Sequence, residues 1–160
     1  MLTPRALLCL AAVVGCQANG SNPLTEAEKA EIAEAARQVV DSAFAAIVRV
    51  DPPGLMRHFA TGSEATFSAD GMIVPGHDSI ATFFGAALAN WRSVDSASLQ
   101  NVRVAVVSRD AAVVTANYRE RVTDAAGNLS WNAGAWTSTL ALREGQWKIV
   151  DSHASHPRAP

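Results

Sequence analysis

The side chains best suited to acid–base chemistry lie on one strand-like segment, residues 111–123. Tyr118 and Glu120 are two residues apart, so both point to one face of a strand, with Val114, Ala116 and Val122. Tyr118 is the only tyrosine, so a phenol donor in any pocket must be this one, unless Tyr118 packs in the core with its hydroxyl at the surface. Glu120 could act as a base, but the flanking Arg119 and Arg121 favour a solvated charge near a strand end.

Histidines supply further candidates, because an imidazole exchanges protons near pH 7. His153 could serve as an acid, a base or a ligand contact, or could be a structural histidine bonded to a neighbouring strand. His153 and His156 are three residues apart and face opposite sides of a strand, so we expect no metal site from this pair. His58 and Asp70 are also titratable, and each is more typical of a helix or a turn than of a catalyst.

Large aromatic side chains are scarce, with four Trp, five Phe and one Tyr. They must therefore shape most of the core and any cavity in it. We expect Trp91, Trp131, Trp136 and Phe67 either in a pocket wall or in the core. The sequence contains no G-x-S-x-G, no P-loop and no glycine-rich dinucleotide turn, so it indicates neither nucleophilic nor phosphate chemistry, and we expect no cofactor.

The composition limits the kind of protein that can carry these residues. Thirteen Lys and Arg against 15 Asp and Glu give a formal charge of -2, which argues against nucleic-acid binding. Because 49% of the residues are hydrophobic and only 18% are charged, the chain is too apolar to be disordered throughout. Its 160 residues suit one compact domain with a core of its own.

Helices dominate the first half of this domain. Apolar residues at spacings of three and four predict a long helix over residues 25–51, which begins with a Thr25 and Glu28 capping box and ends before Pro52. A short helix is expected over residues 55–60, with Asp51 available as its cap and Pro52 at a tolerated first-turn position. A third helix is expected over residues 79–91.

Strands dominate the second half. A hairpin is expected over residues 65–74, around the turn formed by Asp70 and Gly71. Turn residues then separate four long strand-like segments, which cover residues 99–108, 111–123, 129–142 and 146–155. This order predicts an α+β domain with helices packed on one face of a curved antiparallel sheet.

The first residues indicate export. Arg5 precedes an apolar run over residues 6–14, which is too short to span a bilayer, since a spanning helix needs about 20 residues, and which fits a signal peptide. Val13 to Cys16 resembles the bacterial lipobox, in which the cysteine is lipidated and becomes the mature N-terminus. The alternative is an ordinary signal peptide cut after Ala18.

The lipobox interpretation sets the expected domain boundaries. We expect a signal peptide over residues 1–15, a flexible tether over 16–24, the domain over 25–157 and a tail over 158–160. Cys9 would be removed with the signal, which leaves Cys16 alone and allows no disulfide within the mature chain. The protein would then be exported to the cell envelope and held at a bacterial membrane only through its lipid anchor.

The order of elements resembles the nuclear transport factor 2-like superfamily, and within it the SnoaL-like branch. Three features carry the resemblance, which covers residues 26–157: the long first helix, the closing strand Trp147-Lys148-Ile149-Val150-Asp151-Ser152-His153-Ala154-Ser155, and the set Phe67, Asp70, Gly71, Gly76, Ile80 and Phe83. The resemblance implies a cone in which a strongly bent antiparallel sheet wraps over helices and leaves an apolar pocket open at one end.

The resemblance also implies where a site would lie. Catalytic members place a carboxylate inside the cone and pair it with a tyrosine or a second acid. The face of Tyr118 and Glu120 is therefore the candidate for the concave side, although a bulge would invert this parity. His153 on the closing strand would border the same cone.

Many members of this superfamily are homodimers that pair through their sheets. We therefore expect a homodimer through an outer face that carries Thr115, Asn117 and Arg119 beside Val102, Val104 and Val106.

Three functions are compatible with these observations. The first is binding of a small apolar or amphipathic molecule, with candidate contacts at Tyr118, Trp136, His153, Trp91, Phe67 and His58. The second is an isomerase, cyclase or dehydratase type of enzyme that uses Tyr118 with His153, Asp70 or Glu120. The third is a structural dimerisation module, if side chains fill the cone. No aspartate aligns clearly with the base of the catalytic members, so binding ranks first.

The lipobox makes a direct prediction about the N-terminus. Mass spectrometry of the membrane fraction should find an acylated N-terminus at Cys16, and Cys16→Ser should abolish the lipidation. Recovery of an unmodified mature chain that starts at Asn19 would refute the anchor.

Overall fold

The structure is a computed structural model that describes residues 22–157. The predicted signal peptide, Cys16 and the predicted tail lie outside these residues. Within them, no helix is both long enough and apolar enough to cross a bilayer.

The first helix, α1, spans Glu26–Val48 and begins with the predicted capping box. The backbone N–H of Glu28 donates to the Thr25 hydroxyl at 3.2 Å, and the backbone N–H of Thr25 donates to the Glu28 carboxylate at 2.7 Å. Two otherwise unpaired N–H groups are thereby satisfied. The helix ends where Val50 adopts a left-handed φ of 53°, just before the prolines that forbid its continuation.

The other two helices differ from their predicted bounds. Helix α2 spans Pro52–Met56 rather than residues 55–60. Asp51 caps it as predicted, because its carboxylate accepts from the Gly54 N–H at 2.8 Å. Helix α3 spans His77–Leu88. It ends before the predicted residue 91, because Trp91 already belongs to the next strand.

Within residues 22–157, six strands form one curved sheet, which confirms the predicted α+β architecture. The short strands are β1, Thr66–Ala69, and β2, Met72–Pro75, and they form the predicted hairpin. The long strands are β3, Trp91–Ser108; β4, Ala111–Asp124; β5, Leu129–Arg143; and β6, Gln146–Ser155. The order across the sheet is β2-β1-β6-β5-β4-β3.

Two features of the sheet were not predicted. Strand β3 begins at Trp91 rather than at residue 99 and has register shifts against β4, which allow a long strand to bend. Strand β1 pairs with β6 in parallel, with Ser68 opposite His153 and Ala69 opposite Ala154. This pairing brings the hairpin turn beside the end of the closing strand.

The outer face predicted for dimerisation proves to be divided between the two sides of the sheet. Thr115 lies opposite Arg103, but Val104 lies opposite the buried Val114, so that valine faces inward. The cause is a bulge between Gln100 and Arg103, which inverts the side-chain alternation of β3. The homodimer stays a prediction, but the valines of β3 no longer belong to the outer face through which it was expected to form.

Gly134 on β5 allows a close crossing at the end of the sheet. A Cβ atom at this position would lie 1.9 Å from the Ser155 carbonyl oxygen and 2.9 Å from the Tyr118 hydroxyl oxygen. Any side chain here would therefore push the end of β6 away from β5. The glycine lets the chain pass and continue to His156, against Tyr118.

Candidate functional site

A cavity of about 460 Å³ opens between the helices and the concave face of the sheet. Its size is within the usual range for small-molecule sites, about 300 to 1,000 Å³. Nine aromatic side chains line this cavity, namely Phe44, Phe59, Phe67, Phe83, Phe84, Trp91, Tyr118, Trp131 and Trp136. Neighbouring rings hold one another in place: the Phe67 and Phe84 centroids are 4.9 Å apart, and Phe83 meets Phe84 edge-on at 5.3 Å.

Glu120 lies at the polar part of this cavity and is only 2% exposed. The Asn132 amide donates to its Oε2 atom at 2.9 Å. Burial raises the pKa of Glu120 above its ordinary value of 4.5, although the Asn132 hydrogen bond and the nearby His156 oppose the rise. A carboxyl group in such surroundings keeps its proton to higher pH and can act as an acid or a base.

The expectation that Glu120 is a solvated charge is therefore wrong. Side chains alternate along β4, so Arg119 and Arg121 point to the outer face while Glu120 points inward. The Arg119 guanidinium stacks on the ring of Trp131 at 4.1 Å from its centroid, and so does not neutralise the buried carboxyl group.

Tyr118 shares the inner face with Glu120 and is 8% exposed. Burial, followed by the charges of Glu120 and Asp70, raises the pKa of Tyr118 to about 12. The phenol therefore keeps its proton at neutral pH. Its ring meets the His156 ring edge-on, with 6.0 Å between the centroids.

His156 lines the cavity and was considered at the sequence level only as half of an improbable metal pair. Asp70 holds it twice, because both the backbone N–H and the Nδ1 atom of His156 donate to the Asp70 carboxylate. These hydrogen bonds lower the pKa of Asp70. Asp70 itself lies outside the cavity lining, in a left-handed turn with a φ of 47°.

The structure corrects the placement of His153 and His58. His153 faces the outer side of β6, where its Nδ1 atom lies 3.0 Å from the Ser68 hydroxyl. The inward position belongs to the preceding Ser152, which accepts a hydrogen bond from the Trp136 indole N–H at 2.7 Å. His58 follows helix α2, and its backbone carbonyl accepts from the Ile149 N–H. Burial and then Lys148, Arg57 and Arg49 lower the pKa of His58. Neither histidine lines the cavity.

The remaining aromatic candidates do meet there. Phe67 on β1, Trp91 at the start of β3 and Trp136 on β5 all line the cavity. Asn132 was missed, and strand parity could have found it, since it lies directly opposite Glu120 on β5. Within residues 22–157, no cluster of three or more His, Cys, Asp or Glu side chains is arranged to hold a metal ion.

Comparison with known proteins gives a family and a fold. A model of the SnoaL-like domain matches residues 28–153. No match is found among curated protein sequences.

Several solved structures are similar to this chain in fold. A nuclear transport factor 2-like superfamily protein from Salmonella enterica is 21% identical, with a TM-score of 0.71 over 85% of this chain and 95% of that chain. A ketosteroid isomerase-like protein from Erwinia carotovora is 17% identical, with a TM-score of 0.69 over 81% and 98% of the two chains. A protein provisionally named scytalone dehydratase from Novosphingobium aromaticivorans is 17% identical, with a TM-score of 0.73 over 84% and 95%. At these identities the likeness establishes the fold alone.

The raised pKa of Glu120 predicts how stability depends on pH. Above the ordinary value of 4.5, the folded protein binds more protons at this site than the unfolded chain, so stability falls as the pH rises through the raised value. Urea unfolding at several pH values should show that Glu120→Gln loses less stability over this interval than the wild type. Glu31→Gln, at an exposed position, should keep the wild-type dependence. Identical pH profiles for wild type and Glu120→Gln would contradict the burial effect.

Proposed function

The chain belongs to the SnoaL-like domain family, and we propose that it binds a small, mainly apolar molecule in the cavity between its helices and its sheet. The observation that carries this proposal is an open space of about 460 Å³ with aromatic walls and polar groups gathered at one part. A cone filled by its own side chains would instead favour a purely structural module.

The arrangement of polar groups supports a ligand with one hydrogen-bonding group. Glu120, Asn132, Tyr118 and His156 all line the cavity. Three of them are held by hydrogen bonds: Asn132 donates to Glu120, and His156 donates to Asp70. Fixed polar groups in an apolar cavity orient a ligand, while the apolar walls supply most of the binding free energy.

A second candidate function is proton transfer on the bound molecule, as in an isomerase or dehydratase type of reaction. The observation that favours it is that two acid–base side chains line the cavity in different environments. Glu120 is buried, and His156 is oriented by Asp70. Such a pair can remove a proton at one atom of a ligand and return it at another. Tyr118, neutral at working pH, can donate a hydrogen bond to a developing oxyanion.

We also propose that this domain is exported and anchored through Cys16. The support is the sequence of residues 5–16, an arginine, an apolar run and a lipobox-like end. The cavity would then act at a membrane surface of the cell envelope.

Blocking the cavity should abolish binding of an apolar probe. Ala87 lines the cavity near its exposed edge, so Ala87→Trp should fill the entrance without disturbing the core. The full chain carrying Cys16→Ser should bind Nile red, which its fluorescence reports. Adding Ala87→Trp should weaken this binding at least about tenfold, since filling the entrance removes more than about 1.4 kcal/mol of contact with the dye. Ala86→Trp, at the neighbouring exposed position outside the lining, should bind as before. Equal binding by both tryptophan variants, or no binding by the unblocked chain, would refute the proposal.

Proton transfer can be tested without knowing the natural substrate. The ketone 2-tetralone is apolar and has exchangeable protons beside its carbonyl group, so a base that removes one lets a deuteron from heavy water replace it. Nuclear magnetic resonance should detect exchange faster than in buffer, and Glu120→Gln should reduce that excess about 100-fold or more. Ala86→Trp should leave the rate unchanged. Exchange at the buffer rate, or an unchanged rate in Glu120→Gln, would exclude Glu120 as the base.

A further inference from the structure

One oxygen of the buried Glu120 carboxyl group has no hydrogen-bond donor among the described residues. Asn132 donates to Oε2 at 2.9 Å, and none of the side chains or backbone N–H groups within residues 22–157 donates to Oε1. Every completely enclosed side-chain nitrogen or oxygen in that part of the chain has a partner. Oε1 must therefore face the open space of the cavity, where only a ligand or water can donate to it.

No cationic side chain within residues 22–157 is paired with this oxygen. No lysine or arginine lines the cavity in the described part of the chain, and Arg119 and Arg121 point to the outer face. The one lining group that can become cationic is His156, and it is already paired with Asp70. His156 acts on Glu120 only through its charge, and the Glu120 and Asp70 carboxyl groups both act on Tyr118 to raise its pKa.

The walls suit a cation as well. Faces of aromatic rings carry partial negative charge and attract ammonium groups, most strongly when the site excludes water. Tyr118, Trp91 and Trp136 line the same cavity as the carboxyl group. An ammonium ion would satisfy Oε1, offset the negative charge and lie among rings that favour it.

We propose that the ligand is an organic amine, bound as its ammonium ion with an N–H group donating to Glu120 Oε1 and its apolar body against the aromatic walls. This narrows the ligand class of the proposed binding function and rests on it. Binding involves no covalent step: the ammonium group keeps its protons, and Glu120 binds it as a carboxylate. The competing chemistry is a neutral hydroxyl or carbonyl group beside a protonated Glu120.

Three indole compounds of similar size separate these chemistries. Tryptamine carries an ammonium group, tryptophol a hydroxyl and indole-3-acetate a carboxylate. Titration calorimetry at pH 7 on the full chain carrying Cys16→Ser should show tryptamine binding at least about tenfold more tightly than tryptophol, because a hydrogen bond between charged groups is stronger than a neutral one. Indole-3-acetate should bind most weakly.

Glu120→Gln keeps the shape of the side chain and removes its charge. In this variant the preference for tryptamine over tryptophol should disappear, while Glu31→Gln, which removes the same charge from an exposed position, should retain it. The amine proposal would be overturned if tryptophol bound to the wild-type cavity as tightly as tryptamine, a result that requires no Glu120 variant. A retained preference in Glu120→Gln would also overturn it. If either result is obtained while the unblocked chain still binds Nile red, only the amine proposal is overturned. If the unblocked chain does not bind Nile red, both the amine proposal and the binding function are overturned.

Discussion

The cavity depends on how the end of β6 is held against its neighbours. Strand β1 pairs with β6 in parallel, so the Asp70 turn that follows β1 reaches the chain just beyond β6. Asp70 then accepts from the backbone and the side chain of His156. On the other side, Gly134 leaves room for the Ser155 carbonyl group to cross β5. These contacts together place the His156 ring edge-on to Tyr118 and complete the polar part of the cavity wall.

Burial of Glu120 is costly, and the structure compensates only part of the cost. An ionised carboxyl group in an apolar site must be paired, or it becomes protonated instead. Here one hydrogen bond from the Asn132 side-chain amide reaches Oε2, and the neighbouring arginines face away. A position occupied by valine or leucine would pack with less cost to folding. The retention of a carboxyl group at the one polar part of an aromatic cavity therefore fits a requirement of binding or chemistry better than a requirement of stability.

Local patterns of the sequence predicted much of the fold. The capping box of α1, the hairpin at Asp70 and the inward alternation of Tyr118 along β4 are all short-range features, and each was found. The errors arose where distant parts of the chain decide. The bulge beyond Gln100 turned the valine side chains of β3 to the inner face. The parallel pairing of β1 with β6, which no local pattern encodes, brought Asp70 to His156. The flanking arginines misled the interpretation of Glu120, because alternation along a strand separates adjacent charges completely. Alternation along a strand also puts His153 and His156 on opposite faces. The same argument could therefore have predicted that one of these histidines faces the cavity.

Binding and proton transfer draw on the same few atoms, so the position of the ligand's polar group decides between them. A ligand that donates a hydrogen bond or a charge to Glu120 Oε1 stabilises the carboxylate, lowers its basicity and leaves a tight but unreactive complex. A ligand that places an acidic C–H bond at the same oxygen leaves the carboxyl pKa raised, and the carboxylate that forms is then a stronger base in a site that excludes water. Tyr118 and His156 line the same cavity, so both could hydrogen-bond to an oxygen of the ligand in either case. In the proposed function, the aromatic walls would select which molecules enter, and the free oxygen of Glu120 would decide between binding and proton transfer.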